Sequence, residues 1–587
     1  MFYFIYKINK KRENVFMKFK LGNYLKAYRA QVILGPFFKF LEAISDIMTP
    51  FLVAMILDRG IAGSDKNFVI WISVAVLAMN LAGFLFAIIC QKCSAGASQG
   101  VGKDIRRDIY KKITSFSASE MDKYTTMSLT NRSVHDVSQI QSAIGMTIRK
   151  VSRAPFLLVG SVVMAMLIDV QLSCIFFVMI PLIFLLFFLV MRKMNPLFLD
   201  AKVELDNVSN VTRENLSGNR VVRAFNKQQH EKDRFDAENN KFIKVNLKIG
   251  TYGSILQPLL SLIANGCIIA VVYWGGFRVN IGALTTGQTV SFINYISQLA
   301  TSLVVIARMI IVYTQTGASI KRIREIFELE SAVKQKENAI SFTDEVEPKI
   351  EFKNVSFSYN GIKDAIKDLS IVINPGETIG VIGGTGSGKS SLVNLIPRFY
   401  NVSKGEIKIG GKSIKDYDIK SLRNYVSIVP QNPTLFSGTI ESNLKFRKND
   451  ATDEDIKKAL IISQSYEFVS EKPNGVKTRV ERGGSNFSGG QRQRLTIARA
   501  VVGNPKILIL DDSSSALDFE TDYRLRKALN TTLVGTTKIY VSQRTNSIRQ
   551  ADKIIVLDNG NVVGIGTHED LLKNCNVYRE IYESQNS

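Results

Sequence analysis

Apolar residues gather into six long runs within the first 315 positions, at roughly 32–57, 68–90, 154–172, 174–192, 253–277 and 286–312. Each run comes close to the ~20 mostly apolar residues that a helix needs to cross a bilayer. The pattern predicts six membrane spans, the third and fourth joined by almost nothing. Between spans two and three (91–153), and again between four and five (193–252), charged and apolar residues mix without Gly or Pro clusters. These stretches predict helices that prolong the spans beyond the membrane. After the sixth span, "GASIKRIREIFELE" (317–330) continues as a charged amphipathic helix, and the polar stretch 331–348 reads as a linker. "KIEFKNVSFSYN" (349–360) then alternates like a strand and opens a second, soluble-looking region. The expected order is an N-terminal segment over 1–31, a six-helix transmembrane domain over 32–325, a linker over 326–348 and an α/β domain over 349–587.

Charge decides the topology. The 587-residue chain carries a net charge of +23, which by itself suggests nucleic acid. Its placement excludes that reading. Lys7, Lys10, Lys11, Arg12, Lys18, Lys20, Lys26 and Arg29 precede the first span. Arg106, Arg107, Lys111 and Lys112 follow the second, and Arg213, Arg220, Arg223 and Lys227 follow the fourth. The alternate connections (58–67, 173 and 278–285) hold only Arg59, Lys66 and Arg278. Positive charge on every second connection is the positive-inside pattern, so both termini are expected on the cytoplasmic side of an inner or plasma membrane. The opening "MFYFIY" is too short for the core of a signal peptide, and Met17 is an alternative start. Residues 17–31 have the basic, amphipathic look of a helix lying at the inner membrane surface, in contact with lipid. "CQKC" (90–93) lacks the partners of a zinc site and reads as packing.

The chemistry sits in the second region. "GGTGSGKS" (383–390) fits G-x-x-x-x-G-K-[ST], after the strand-like "TIGVI" and before the helix-like "SSLVNLI". Its glycines let backbone N–H groups curl around phosphate oxygens at a helix N-terminus. Gly383, Gly384, Thr385, Gly386, Ser387, Gly388 and Ser391 are the expected cradle, with Lys389 on the β- and γ-phosphates and Ser390 on Mg²⁺. Ile507, Leu508, Ile509 and Leu510 read as a buried strand delivering two carboxylates to its end, Asp511 for Mg²⁺ and Asp512 for water activation.

"FSGGQRQRLTIARA" (487–500) raises the specificity, and here the sequence resembles the ATP-binding-cassette (ABC) family. Tyr359, Gln431 in "VPQNPTLFSGTI", "ERGG" (481–484), "SALD" (515–518) and "VSQRTNSI" (541–548) match that family's elements in order. The resemblance covers essentially the whole chain and implies an exporter half-transporter. It implies that Tyr359 stacks on adenine and that Gln431 joins Ser390 and Asp511 around Mg²⁺. It also implies that Ser488, Gly489, Gly490, Gln491 and Asp518 serve an ATP shared with a second half-transporter. Coupling helices are expected near 128–140 and 209–225.

Three departures stand out. Phe487 replaces the leucine usual in the signature, Asp512 the usual glutamate, and Gln543 the usual histidine. Aspartate withdraws the carboxylate by about 1 Å, and a misplacement of that size can cost roughly a hundredfold in rate. Gln543 donates a hydrogen bond but carries no charge and shuttles no proton. Either change alone is compatible with drift in a working ATPase. Together they point to a degenerate site, paired in a heterodimer with a competent chain. In the spans, Glu42 and Asp46 share one helix face, and Asn294 and Gln298 share another. They are candidates for contact with an amphipathic, cationic cargo; the other reading pairs Glu42 with Lys39 or Arg308 purely for packing. The alternatives to a heterodimeric drug, lipid or peptide exporter are a homodimeric exporter with slow hydrolysis and an ATP-gated regulatory subunit.

Overall fold

A computed structural model describes residues 19–513 and 516–586. Met1–Lys18 of the expected interfacial segment and Ser515 of "SALD" lie outside the described residues. The chain divides into two compact units. One comprises the residues up to Thr114 together with Thr126–Leu329; the other comprises Ser115–Thr125 with the remainder from Glu330 onward.

In the first unit, six helices are long and apolar enough to cross a membrane: Arg29–Ile61, Lys66–Thr114, Thr126–Ile168, Val170–Ser217, Gln228–Asn280 and Thr286–Glu328. The second of these has 49 residues, about 74 Å at 1.5 Å per residue, well beyond the ~30 Å hydrocarbon core. Its apolar surface faces outward, with Trp71 and Leu77 more than 70% exposed. That distribution suits a solvent of lipid tails rather than water. The third and fourth helices meet at Asp169, not at 173 as the apolar run suggested. Asp169 is extended (φ −158°, ψ 116°), and its carboxylate accepts from Leu172 N at 2.8 Å, capping the helix that begins at Val170. An N-cap carboxylate outweighs the apolar continuity of the sequence across it. The opening helix Leu21–Ala27 is anchored by Tyr24, which donates to Asp108 at 3.1 Å; just beyond it, Tyr28 donates to Asp104 at 3.0 Å. Cys90 is buried, with its thiol toward the Ile148 carbonyl.

The second unit is built on a six-stranded sheet. Its order is Asn561–Gly566, Lys553–Asp558, Thr378–Gly383, Thr537–Val541, Ile507–Asp511, Val426–Val429, all parallel except the first. The strand Ile507–Asp511 is buried along its length because both of its faces are covered. Ile507 and Ile509 pack with Val381, Leu392 and Val541, toward an antiparallel four-stranded sheet that contains Ile350–Ser358. Leu508 and Leu510 point the other way, against Leu495, Ala498 and Leu525. Side chains of period two thus weld one strand to two cores. Residues 331–348 form no free spacer, since Val333 and Phe342 are buried and Ile340 bridges to Tyr417.

The stretches expected to carry coupling helices fall as follows. Residues 128–140 belong to the first unit, while Ala118–Lys123, a short helix just upstream, groups with the second. Buried Glu120 holds it there, accepting from Ser117 N at 2.8 Å and Ala332 N at 2.9 Å. Nearby, Tyr400 donates to Asp122 at 2.6 Å. The helix Asn219–Ala224, inside the second expected stretch, lies in the first unit.

Candidate nucleotide-binding site

The strand Thr378–Gly383 ends at the centre of the sheet, and the loop after it turns into the helix Lys389–Leu395. Gly388 caps that helix with φ +102°, and a Cβ there would lie 2.4 Å from the Ala365 carbonyl. Only glycine satisfies both conditions. Lys389 is buried and folds back over the loop, its Nζ donating to Gly383 O at 2.9 Å and Gly384 O at 2.7 Å. Burial lowers the Lys389 pKa, and the nearby Asp512 and Asp511 charges oppose that shift. Ser387 Oγ is buried without a hydrogen-bond partner among the described residues. An orphaned hydroxyl beside a buried ammonium, at a helix N-terminus, is what a phosphate group would satisfy.

A cavity of about 350 Å³ gathers Tyr359, Lys389, Ser390, Gln431, Asp511, Asp512 and Gln543, along with Thr385, Gly386, Gly388 and Ser391. Tyr359 is half exposed, edge-on to Phe357 and Tyr400, and its hydroxyl meets Ser391 Oγ at 3.0 Å. That arrangement leaves an aromatic ring at the mouth of the cavity on which a base could stack. Ser390 Oγ donates to Asp511 at 3.1 Å. Burial raises the Asp511 pKa; the Ser390 bond lowers it in part, and the Asp512 charge raises it further. Asp512 stands just past the strand at φ +44°, a left-handed position that aspartate tolerates better than most residues. Its backbone N donates to Val541 O at 2.9 Å, and its carboxylate accepts from Gln431 Nε2 at 3.3 Å. Burial raises its pKa as well, against the lowering effects of Gln431, Lys389 and Arg544.

The donors Ser390 and Asp511, with Gln431 beside them, are hard oxygen ligands that fit Mg²⁺, which would supply charge neutralisation at a bound triphosphate. Protons would compete for the raised Asp511 carboxylate at a higher pH than for an ordinary one. Mg²⁺-dependent ATP binding is therefore expected to weaken as pH falls toward the carboxylate range. Asp511→Asn should cost at least about tenfold in Mg²⁺-dependent affinity and remove that pH response, as measured by equilibrium nucleotide binding with and without the metal.

The signature residues lie elsewhere. Ser488 caps the helix Gly489–Val501, its Oγ accepting from Gln491 N at 3.3 Å while Gln491 accepts from Ser488 N at 3.1 Å. Asp518 caps the helix Phe519–Thr532, accepting from Thr521 N at 3.0 Å. Among the described residues none of 488–491, nor Asp518, lines the cavity. Phe487 is buried, with Lys472 Nζ 5.8 Å from its ring centre, so the larger side chain is absorbed by the core. Ala365, which nothing in the sequence marks, also lines the cavity, as does Val541 at the head of "VSQRTNSI"; both are strand residues.

The span residues do not form one open polar face. Glu42 is held by Lys39 at 2.6 Å and reaches Arg153 at 4.0 Å, while Asp46 accepts from Arg153 Nε at 3.1 Å. Gln298 donates to the Asp46 carbonyl at 2.8 Å, whereas Asn294 is exposed and bonds back to Val290 O at 3.1 Å. The pairing of Glu42 is with Lys39, and no bond joins it to Arg308 among the described residues.

Two family models match the chain: the ABC transporter transmembrane region over residues 32–303 and the ABC transporter domain over 366–515. The chain is 34% identical over 568 residues to the "Uncharacterized ABC transporter ATP-binding protein YfiB" of Bacillus subtilis, covering 96% of this chain and 98% of that one. The chain belongs to the ABC transporter family. With one transmembrane region and one ATP-binding domain in a single polypeptide, it is an ABC exporter half-transporter and a multi-pass membrane protein. This exporter is also 31% identical to the "Putative multidrug export ATP-binding/permease protein YgaD" of Bacillus subtilis, over 96% of the chain and 98% of the relative. It is 28% identical to the "ATP-dependent lipid A-core flippase" of Escherichia coli K12, over 95% and 96%. Its fold matches that of a bacterial Atm1-family ABC exporter solved with ATP bound, with a TM-score of 0.81 at 22% identity over 95% and 98%.

Proposed function

We propose that this half-transporter pairs with a different chain to form an ATP-driven exporter of amphipathic molecules, with both termini in the cytoplasm. In that assembly Lys389, Ser390 and Asp511 hold Mg²⁺–ATP in a site that turns over slowly, and Ser488–Gln491 complete the partner's faster site. The observation that carries the reading is the joint replacement at Asp512 and Gln543, both lining a cavity whose phosphate loop is otherwise intact. The short Asp512 side chain is engaged by Gln431, and no histidine stands opposite to move a proton. Relatives named for multidrug export and lipid A-core flipping support an amphipathic cargo. With Glu42 and Asp46 each paired to a cation, the cargo need not itself be cationic.

A second reading, a homodimer that flips lipid with slow hydrolysis, draws on the relationship to the lipid A-core flippase. The two part on one measurement. Purified alone in lipid nanodiscs, the chain should bind ATP yet release phosphate at least about a hundredfold more slowly than the assembled pair. Robust turnover by the chain alone would sink the heterodimer reading.

A further inference from the structure

The stretch that carries Gln543 is gripped from outside the nucleotide cavity by the far end of the chain. Gln585 lies in the last turns of the helix Asn576–Asn586. Its Nε2 donates to Gln543 O at 2.7 Å, and its Oε1 accepts from Thr545 N at 2.9 Å and from Thr545 Oγ1 at 3.0 Å. A side-chain amide offers a donor and an acceptor on one plane, so a single residue straddles position 544 and fixes the backbone on both sides of it. The supporting helix is itself anchored. Tyr578 is fully buried, its hydroxyl 2.7 Å from His568 Nδ1, and it packs in one cluster with Ile548, Ile554, Val556 and Leu571. Ile548 closes the stretch that begins at Gln543. Farther along the stretch Arg526 donates to Asn546 O at 3.2 Å and to Ser547 Oγ at 3.0 Å. The stretch is therefore held at two places, and the support that bonds the Gln543 backbone is Gln585.

We infer that Gln585 is a positioning residue for Gln543: the C-terminal helix sets how far the Gln543 amide reaches into the nucleotide cavity. The end of the chain thereby controls how firmly ATP is retained at this site. The inference rests on the reading of Gln543 as a hydrogen-bond donor to the bound nucleotide. It goes further in that the grip is on the backbone, so it acts whatever side chain stands at 543. Gln543 lacks the charge that would draw a histidine to phosphate, so its placement depends on this external support.

The test uses the full-length chain, tagged at its N-terminus and purified with its assembled partner in nanodiscs. Release of photoactivatable 8-azido-ATP from this chain is timed in Gln585→Ala, Gln585→Glu, Gln543→Ala and the double variant Gln543→Ala/Gln585→Ala. Ser584→Ala is the control, because among the described residues that hydroxyl bonds within its own helix, to Ile581 O at 2.9 Å. Gln585→Ala should speed release about fivefold to tenfold, matching Gln543→Ala, with the control unchanged. Gln585→Glu keeps an acceptor for Thr545 but turns a carboxylate toward the Gln543 carbonyl, so it should release equally fast even if the alanine variant is poorly folded. The double variant should be no faster than Gln543→Ala alone, since a support is redundant once the group it positions is gone. Additive effects would mean that Gln585 acts on the fold in general, and unchanged release in both Gln585 variants would mean that it positions nothing; either overturns the inference. Unchanged release in Gln543→Ala overturns it too, while leaving the heterodimer reading to stand or fall on turnover by the chain alone.

Discussion

Ser488→Arg should stop ATP turnover in the assembled exporter while leaving ATP bound to this chain. The expectation follows from where the two helix ends lie. Lys389 opens the helix Lys389–Leu395 and lines the cavity; Ser488 caps the helix Gly489–Val501, is exposed, and lies outside that cavity. A 13-residue helix whose first turn is Gly-Gly-Gln presents N–H groups and the positive end of its dipole to solvent. Such an end suits a phosphate, and it lies outside the cavity lined by this chain's own phosphate loop, as expected if it completes a site on another chain. Charge-assisted hydrogen bonds there are roughly twice as strong as neutral ones, so filling the space with an arginine side chain should lower turnover by at least about a hundredfold. Loss of the cap itself should cost only about 1 kcal/mol, too little to unfold the domain. Lys389→Ala should do the converse, emptying this chain's own site and slowing transport through lost closure. Photolabelling of each chain, run beside phosphate release, separates the two. If Ser488→Arg emptied this chain's site and spared turnover, the sharing of ATP between chains would have to be abandoned.

The phosphate loop was legible in the sequence because its spacing is imposed by chemistry. Gly388 must be glycine where a Cβ would strike Ala365, and Lys389 must follow it to reach the loop. The buried strand before Asp511 was equally plain, since both of its faces meet cores and four consecutive apolar residues have no other explanation. Where a single polar contact overrides a pattern, the sequence misled. Asp169 cuts an apolar run by capping a helix, and Glu120 ties the short helix Ala118–Lys123 into the second unit through bonds to residues more than 200 positions away. The pairing of Asp46 with Arg153 was hidden for the same reason, because partners 107 residues apart leave no periodic trace. Gln585 is the extreme case. A glutamine in a polar C-terminal helix looks like solvated surface until the fold sets it against Gln543.

Asp512→Glu combined with Gln543→His should raise phosphate release by the purified chain about a hundredfold, the largest gain expected of any substitution here. The argument starts from geometry. Asp512 is set by the strand end and by its backbone bond to Val541, so the Cα does not move when the side chain changes. One added methylene advances the carboxylate by about 1 Å toward the place where a water would attack. Burial already raises the Asp512 pKa, and a longer carboxylate in the same surroundings would keep a raised affinity for protons, the direction a general base requires. Histidine at 543 adds what glutamine lacks, a group that can carry charge and pass a proton near pH 7. It would stand on a backbone already fixed by Gln585, so its placement needs no further change. Each substitution alone should recover less than a tenth of the gain, because base and proton carrier act on one transition state and their effects do not add. Steady-state phosphate release by the double variant, against the wild-type chain at saturating ATP, is the measurement. A double variant that binds ATP normally but stays silent would show that the proposed slowness is not written in Asp512 and Gln543. The missing element would then lie in the signature that, in the proposed assembly, a second chain brings.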